Sequence, residues 1–224
     1  MRVRITFFLF TVAAGVLVSG NSVLAGEADP NTLAAGEKRQ GFVLLFDGKT
    51  LDGWDGDTRV WRVDDGAIVG SSDTYSPGHN TFLVCKTPYA DFVLKAEVKL
   101  RNGNSGIQFR SKLLPDWIVH GYQADLSFAG ERSAWGNFYE EKGRGRGVMP
   151  TPGAGWEKAK NIVRAKDWNR YEIYAKGSHI RLTLNGVVTI DTWDDKTSSG
   201  VIGLQLHTGD AMEVRFRGIK IKPL

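Results

Sequence analysis

Along most of the chain, hydrophobic and polar residues alternate with a period of two. The runs FVLLF (42–46), WRVDDGAIVG (61–70), TFLVC (81–85), DFVLKAEVKL (91–100), SGIQFRS (105–111), GYQADLS (121–127), RYEIYAKGSHIRLTLNGVVTID (170–191), VIGLQLH (201–207) and MEVRFRGIKIKPL (212–224) therefore read as strands and hairpins. No stretch keeps a helical period over three turns. Asp65-Gly66 and Asn185-Gly186 fall between alternating runs, where tight hairpin turns favour such pairs, and RNGNSG (101–106) separates two further strands. The pattern predicts an all-β fold, an antiparallel sandwich of two sheets packed face to face. One glycine-rich segment, Glu140 to Asn161, interrupts the strand series. A loop of that length inside a compact domain reads as a lid or rim.

Parity along the strands then separates core residues from candidate chemistry. In GYQADLS, Tyr122, Ala124 and Leu126 share one face, with Gln123 and Asp125 on the other. The same reading puts Gln108 and Arg110 opposite Ile107 and Phe109, Gln205 and His207 opposite Leu204 and Leu206, and Asn137, Tyr139 and Glu141 opposite Phe138. Gln and Arg offer directional donors suited to hydroxyls and carbonyls, and Asp, Glu and His can move protons near neutral pH. Gly106 and Gly203, on the same faces, would let a ligand approach the backbone. The set reads as a sugar site on the hollow face of a sheet; a polar network tying neighbouring strands together would use the same residue types.

The ends of the chain and its charge narrow the class. Arg2 and Arg4, the apolar run ITFFLFTVAAGVLV and the small residues before Gly26 read as a secretory leader over residues 1–25, cleaved on export to the periplasm or exterior. The apolar run is shorter than a membrane span needs, which sets the leader above the alternative of an uncleaved anchor. Residues 26–40 are small and polar and read as a linker, leaving 41–224 as one domain. The formal charge of +4 loses two when Arg2 and Arg4 depart. The only basic cluster, KGRGRG (142–147), is too short for a nucleic-acid footprint and reads as solvated or near a polar or anionic ligand. Cys85 is the single cysteine, so no intrachain disulfide forms, and its apolar neighbours make it a buried structural thiol. The sequence sets no oligomeric state.

FVLLFDGKTLDGWDG, WRVDDGAIVGS, YADFVLKAEVKLRNGNSGIQFRS, GYQADL, FYEEKGRG, WNRYEIYAKGSHIRLTLNG and GVIGLQLHTGDAMEVRFRGIKIKPL, in that order, resemble the 3-keto-disaccharide hydrolase domain family from about Phe42 to Leu224. The resemblance implies a concanavalin A-like jelly-roll sandwich, export, and action on sugars already oxidised at carbon 3. Many members carry Glu and Gln where this chain has Gln123 and Asp125, so Asp125 is the carboxylate of the motif here.

A ketone at carbon 3 acidifies the proton on carbon 2, so the glycosidic bond can break by elimination and water can add to the enone. The chemistry needs a base, a donor or metal at the enolate oxygen, and an acid for the leaving oxygen. Asp125 is the candidate base, Arg110 and His207 the groups around the keto oxygen or leaving group, and Glu141 a second acid or metal ligand. Gln108, Gln123, Gln205 and Tyr139 are candidate substrate contacts, with Trp54, Trp117 and Trp135 as stacking platforms. A divalent metal on Asp125, Glu141 and His207 is compatible with the set, although no spacing motif demands one. Two rivals remain: a retaining glycosidase, which needs paired carboxylates about 5 Å apart, and a non-catalytic lectin-like module.

Overall fold

The computed structural model describes residues 28–127, 133–148 and 153–224, so the proposed leader lies outside the described residues. The larger sheet contains β1 (Val43–Leu44), β3 (Trp61–Asp64), β4 (Ala67–Ser71), β6 (Phe92–Leu100), β10 (Asn169–Lys176), β11 (His179–Leu184), β12 (Val187–Trp193) and β14 (Glu213–Pro223). Its order is β12-β11-β10-β6-β14-β4-β3, with β1 beside the second half of β14. The smaller sheet, built from β2 (Trp54–Asp55), β5 (Thr81–Cys85), β7 (Asn104–Leu114), β8 (Ile118–Ser127), β9 (Phe138–Glu141) and β13 (Val201–Leu206), runs β2-β5-β13-β7-β8-β9. All pairings are antiparallel, giving the two-sheet sandwich that the alternation predicts.

Between the sheets, Leu94, Ala96, Val98, Ile173 and Phe216 meet Ile107, Phe109, Ala124, Leu126 and Leu204 in one core. Full burial of each large apolar side chain contributes about 1.5–3 kcal/mol. Phe109, Tyr122 and Phe138 form a ring cluster with centroids 5.0 to 5.9 Å apart, which fixes the inner face of β7, β8 and β9. With that face inward, Gln123 and Asp125 must point outward. At the hairpins, Asp65 and Gly66 (φ 47° and 68°) and Asn185 and Gly186 (φ 48° and 86°) take the left-handed backbone that tight turns require.

The segment read as a linker is docked where it is described. Residues 35–39 form a short helix, α1 (Ala35–Arg39). Asn31, 6% exposed, donates its amide to Gly66 O at 2.9 Å and accepts from Gly218 N at 2.9 Å. Glu37 pairs with Lys220 at 2.9 Å. A polar segment held by backbone groups carries no hydrophobic signal, which is why its composition looks like a linker. The long glycine-rich segment likewise contains a helix, α2 (Ala154–Ala159), whose Trp156 N–H donates to Asn137 Oδ1 at 3.0 Å.

One distortion shapes the outer face of the smaller sheet. The β7–β8 pairing shifts register between Phe109 and Lys112, with Arg110 at φ 48°. Opposite, Gly121 has φ 152°, and a Cβ there would lie 2.5 Å from Ser111 Oγ, so the strands bend with no room for a side chain. The far end of the hairpin folds over the face: Val119 packs on Phe82 and Val84 although β13 and β7 separate β5 from β8 in the sheet. His79 Nε2 lies 3.3 Å from Asp116 O, and Asn80 donates to Glu141 Oε1 at 3.3 Å.

Candidate active site

Beneath this folded hairpin, β7, β8 and β13 carry a relay of buried amides. Ser111 donates to Gln108 Oε1 at 2.7 Å, and Gln108 Nε2 donates to Gln123 Oε1 at 2.7 Å. Gln123 Nε2 then donates to Asp125 Oδ1 at 3.1 Å and to Gln205 Oε1 at 3.3 Å. Parity therefore brought Gln108, Gln123, Asp125 and Gln205 together. Their roles differ from the sequence reading, however, because Gln108 and Gln123 are 0% and 1% exposed and have their amide groups engaged with neighbouring side chains. These two hold Asp125 in place; Gln205 is as buried, at 1% exposed, and differs only in that its amide nitrogen has no side-chain partner among the described residues. Gly106 is likewise taken by the protein: a Cβ there would sit 2.1 Å from Gln123 Cδ.

Asp125 is 3% exposed. Burial pushes its carboxyl up to about 7, against the opposing pull of the Gln123 amide and the Arg146 charge. Its backbone carbonyl accepts from Tyr171 Oη at 2.8 Å, and that hydroxyl accepts from Gly136 N at 2.7 Å. Tyr139, beside Gln123 on β9, has its hydroxyl pKa raised by burial and then by the charges of Glu141 and Asp125, and lowered by Arg146. A carboxyl that titrates near neutrality, beside a phenol and a guanidinium, suits general acid–base work.

A cavity of about 310 Å³ is lined by His79, Asn80, Ile118, Glu141, Lys142, His207 and Thr208; the buried Asp125, Gln123 and Gln205 are not part of its lining. Glu141 and His207 thus share one opening, as parity proposed. A larger hollow of about 910 Å³ lies over the outer face of the other sheet, under residues 28–40. Charges lining it are paired, Lys220 with Glu37 at 2.9 Å and Arg217 with Glu97 at 2.8 Å, and neither Glu141 nor His207 lines it. The candidate active site combines the smaller cavity, which holds Glu141 and His207, with the buried floor that carries Asp125.

Several sequence-based assignments need correction. Arg110 does not face Asp125: the bulge turns it aside, and its guanidinium donates to Ala90 O at 2.7 Å, Gly177 O at 2.6 Å and Asp91 at 2.8 Å. Trp54 is a core residue whose indole donates to Leu45 O at 2.7 Å. Trp135 is fully buried and stacks on Tyr171 with centroids 6.3 Å apart, so it supports the floor and offers no sugar platform. Asp125, Glu141 and His207 do not converge as a metal set; among the described residues no three His, Cys, Asp or Glu side chains are placed to hold one ion. Glu141 stands opposite Gly121 and Asp125 beside Asn137, four positions apart along the strands or about 13 Å of backbone. That backbone separation is wider than the spacing of about 5 Å between the carboxyls of a retaining pair, although the Glu141 charge still reaches Asp125 and raises its carboxyl. Sequence reasoning missed Arg146, whose charge acts on both Asp125 and Tyr139. Its one signal was the short basic run read as near a polar ligand.

A two-sheet sandwich whose sequence matches a glucoside-lyase-like domain family is a carbohydrate-active protein. The chain belongs to the 3-keto-alpha-glucoside-1,2-lyase-like domain family, which matches residues 41–222. Two proteins from Parabacteroides distasonis ATCC 8503, provisionally described as glycosyl hydrolases, share the fold. One is 20% identical with a TM-score of 0.62, covering 87% of this chain and 99% of its own. The other is 21% identical with a TM-score of 0.55, covering 82% and 99%. A Bacillus subtilis protein with a galectin-like fold is 13% identical, with a TM-score of 0.52 over 77% of this chain and 90% of its own. Comparison with curated proteins found no match.

Proposed function

We propose that this protein cleaves glycosides whose sugar carries a ketone at carbon 3, by elimination across carbons 1 and 2 followed by hydration. The observation that carries the reading is Asp125, a buried carboxyl poised at about 7 and oriented by Gln123. As carboxylate it takes the proton from carbon 2. The C–H electron pair becomes the carbon 1–carbon 2 double bond, conjugated with the ketone, and the glycosidic oxygen departs with a proton. Water then adds at carbon 1, and Asp125 returns a proton to carbon 2. Arg146 and Tyr139 take the place first given to Arg110 as donors toward the keto oxygen, where enolate charge develops. Glu141 and His207, at the cavity, serve the leaving oxygen and the incoming water, and Gln205 holds a hydroxyl. The leader features at residues 1–25 support assigning the reaction to an extracytoplasmic compartment.

Asp125→Asn keeps the acceptor for Gln123 and removes the base. Turnover of a 3-keto-glucoside should fall by about 10²–10⁴ while sugar binding survives. Binding by the wild type with no turnover of any 3-keto-glucoside would favour the lectin-like reading.

A further inference from the structure

The side chains of Glu140–Arg146 serve two different places. Glu141 and Lys142 line the cavity, and Arg146 acts on Asp125 and Tyr139. Glu140 and Arg144 point to the opposite side, into an ionic cluster the proposed chemistry does not use. The Glu140 side chain is fully buried; it pairs with Arg144, with Lys196 at 2.6 Å and with His120 at 3.7 Å. Arg144 continues to Asp194, with two bonds of 2.7 and 3.0 Å. Asp194 accepts in turn from the Tyr122 hydroxyl and, at 3.2 Å, from Lys196 N. Burial would raise both carboxyls, but their bonds, to Lys196 and Arg144 for Glu140 and to Arg144 and Tyr122 for Asp194, hold both below the usual carboxylate values and so keep them charged.

The cluster grips a tight turn. Gly145 N donates to Glu140 O and Glu140 N to Gly145 O, each at 3.1 Å, while Lys142 and Gly145 take φ of 55° and 58°. A Cβ on Gly143 would fall 2.3 Å from Glu140 Oε1, so the turn lies directly on that carboxylate. Its other side lies near Tyr139, where a Cβ on Gly145 would touch the ring at 3.5 Å. Arg146 follows immediately.

We propose that Glu140 and Asp194 are positioning residues: acting through Arg144, they hold the 142–145 turn against Tyr139 so that Arg146 is presented to Asp125. This rests on the reading of Asp125 as the base. A clamp of this kind affects rate more than affinity, since misplacement of a catalytic group by about 1 Å can cost on the order of 10²-fold.

The test is a double-mutant cycle on turnover of a 3-keto-glucoside by the full protein, using Asp194→Asn, Arg146→Met and the pair. Asp194→Asn should lower kcat roughly ten- to hundredfold with KM little changed, Asp194→Glu should restore part of it, and the pair should be no slower than Arg146→Met alone. Arg144→Gln, which leaves the Tyr122–Asp194 bond in place, should reproduce the loss if Asp194→Asn fails to fold. Losses that multiply, or a folded Asp194→Asn protein with wild-type kcat, overturn the proposal. Should the wild type cleave no 3-keto-glucoside, the functional reading fails by itself. The clamp is then judged by the Arg146 Nε–H resonance: slow solvent exchange lost in Asp194→Asn upholds it, and unchanged exchange overturns it.

Discussion

Asp125 is where fold stability and chemistry oppose each other. Its carboxyl titrates at about 7 in the folded protein against 3.8 ordinarily. Between those values the folded state holds a proton the unfolded chain has released, so stability falls as pH rises through this window and levels off above it. Asp125→Asn should remove that slope: its Tm should exceed the wild type at pH 8 and match it near pH 4, as read by calorimetry across pH. Activity should run the other way, with kcat/KM rising through an apparent pKa of about 7 as the base ionises. A flat profile over that range would remove Asp125 from the base role. Arg110 offers the contrast. With its guanidinium bonded to Ala90 O, Gly177 O and Asp91, Arg110→Met should cost about 3 kcal/mol in urea unfolding. The Asp125 pH profile should survive it.

At the scale of elements, the bent β7–β8 hairpin closes the polar floor. Gly121→Ala would place a methyl within 2.7 Å of Ser111 Cα, at a backbone angle that side chains rarely take. It should cost about 1–3 kcal/mol by chemical denaturation and increase dye binding as Val119 lifts from Phe82 and Val84. This hairpin also marks the limit of legibility in the sequence. Period-two parity correctly put Gln108, Gln123, Asp125 and Gln205 on one face, because β7, β8 and β13 are regular there. It failed two residues later at Arg110, since a bulge adds a residue without interrupting the apolar alternation. The amides were legible as a set, but not their engagement with one another, which depends on Gly106 leaving room for the Gln123 side chain. Arg146 escaped notice because a short glycine-flanked basic run has no periodicity to orient it.

For the whole molecule, the sandwich extends beyond the strands. Asn31 ties the N-terminal segment to the turns at Gly66 and Gly218, so its loss leaves a backbone carbonyl and a buried N–H without their partner. Asn31→Ala should destabilise the entire domain by about 1–3 kcal/mol, seen as a lower urea midpoint with an unchanged slope. The two-sheet architecture was legible from alternation and turn residues alone. The docking of residues 28–40 was not, because its anchors are polar, the Asn31 amide on two backbone groups and Glu37 on Lys220.

The central claim is that the glycosidic bond breaks by loss of the carbon 2 proton to Asp125. The most direct measurement is turnover of a 3-keto-glucoside in deuterium oxide, with NMR of the released sugar and the unoxidised glucoside run in parallel. The account predicts deuterium at carbon 2 of the 3-keto sugar and no reaction of the unoxidised glucoside. A product carrying no deuterium at carbon 2, or efficient cleavage of the unoxidised glucoside, would contradict it.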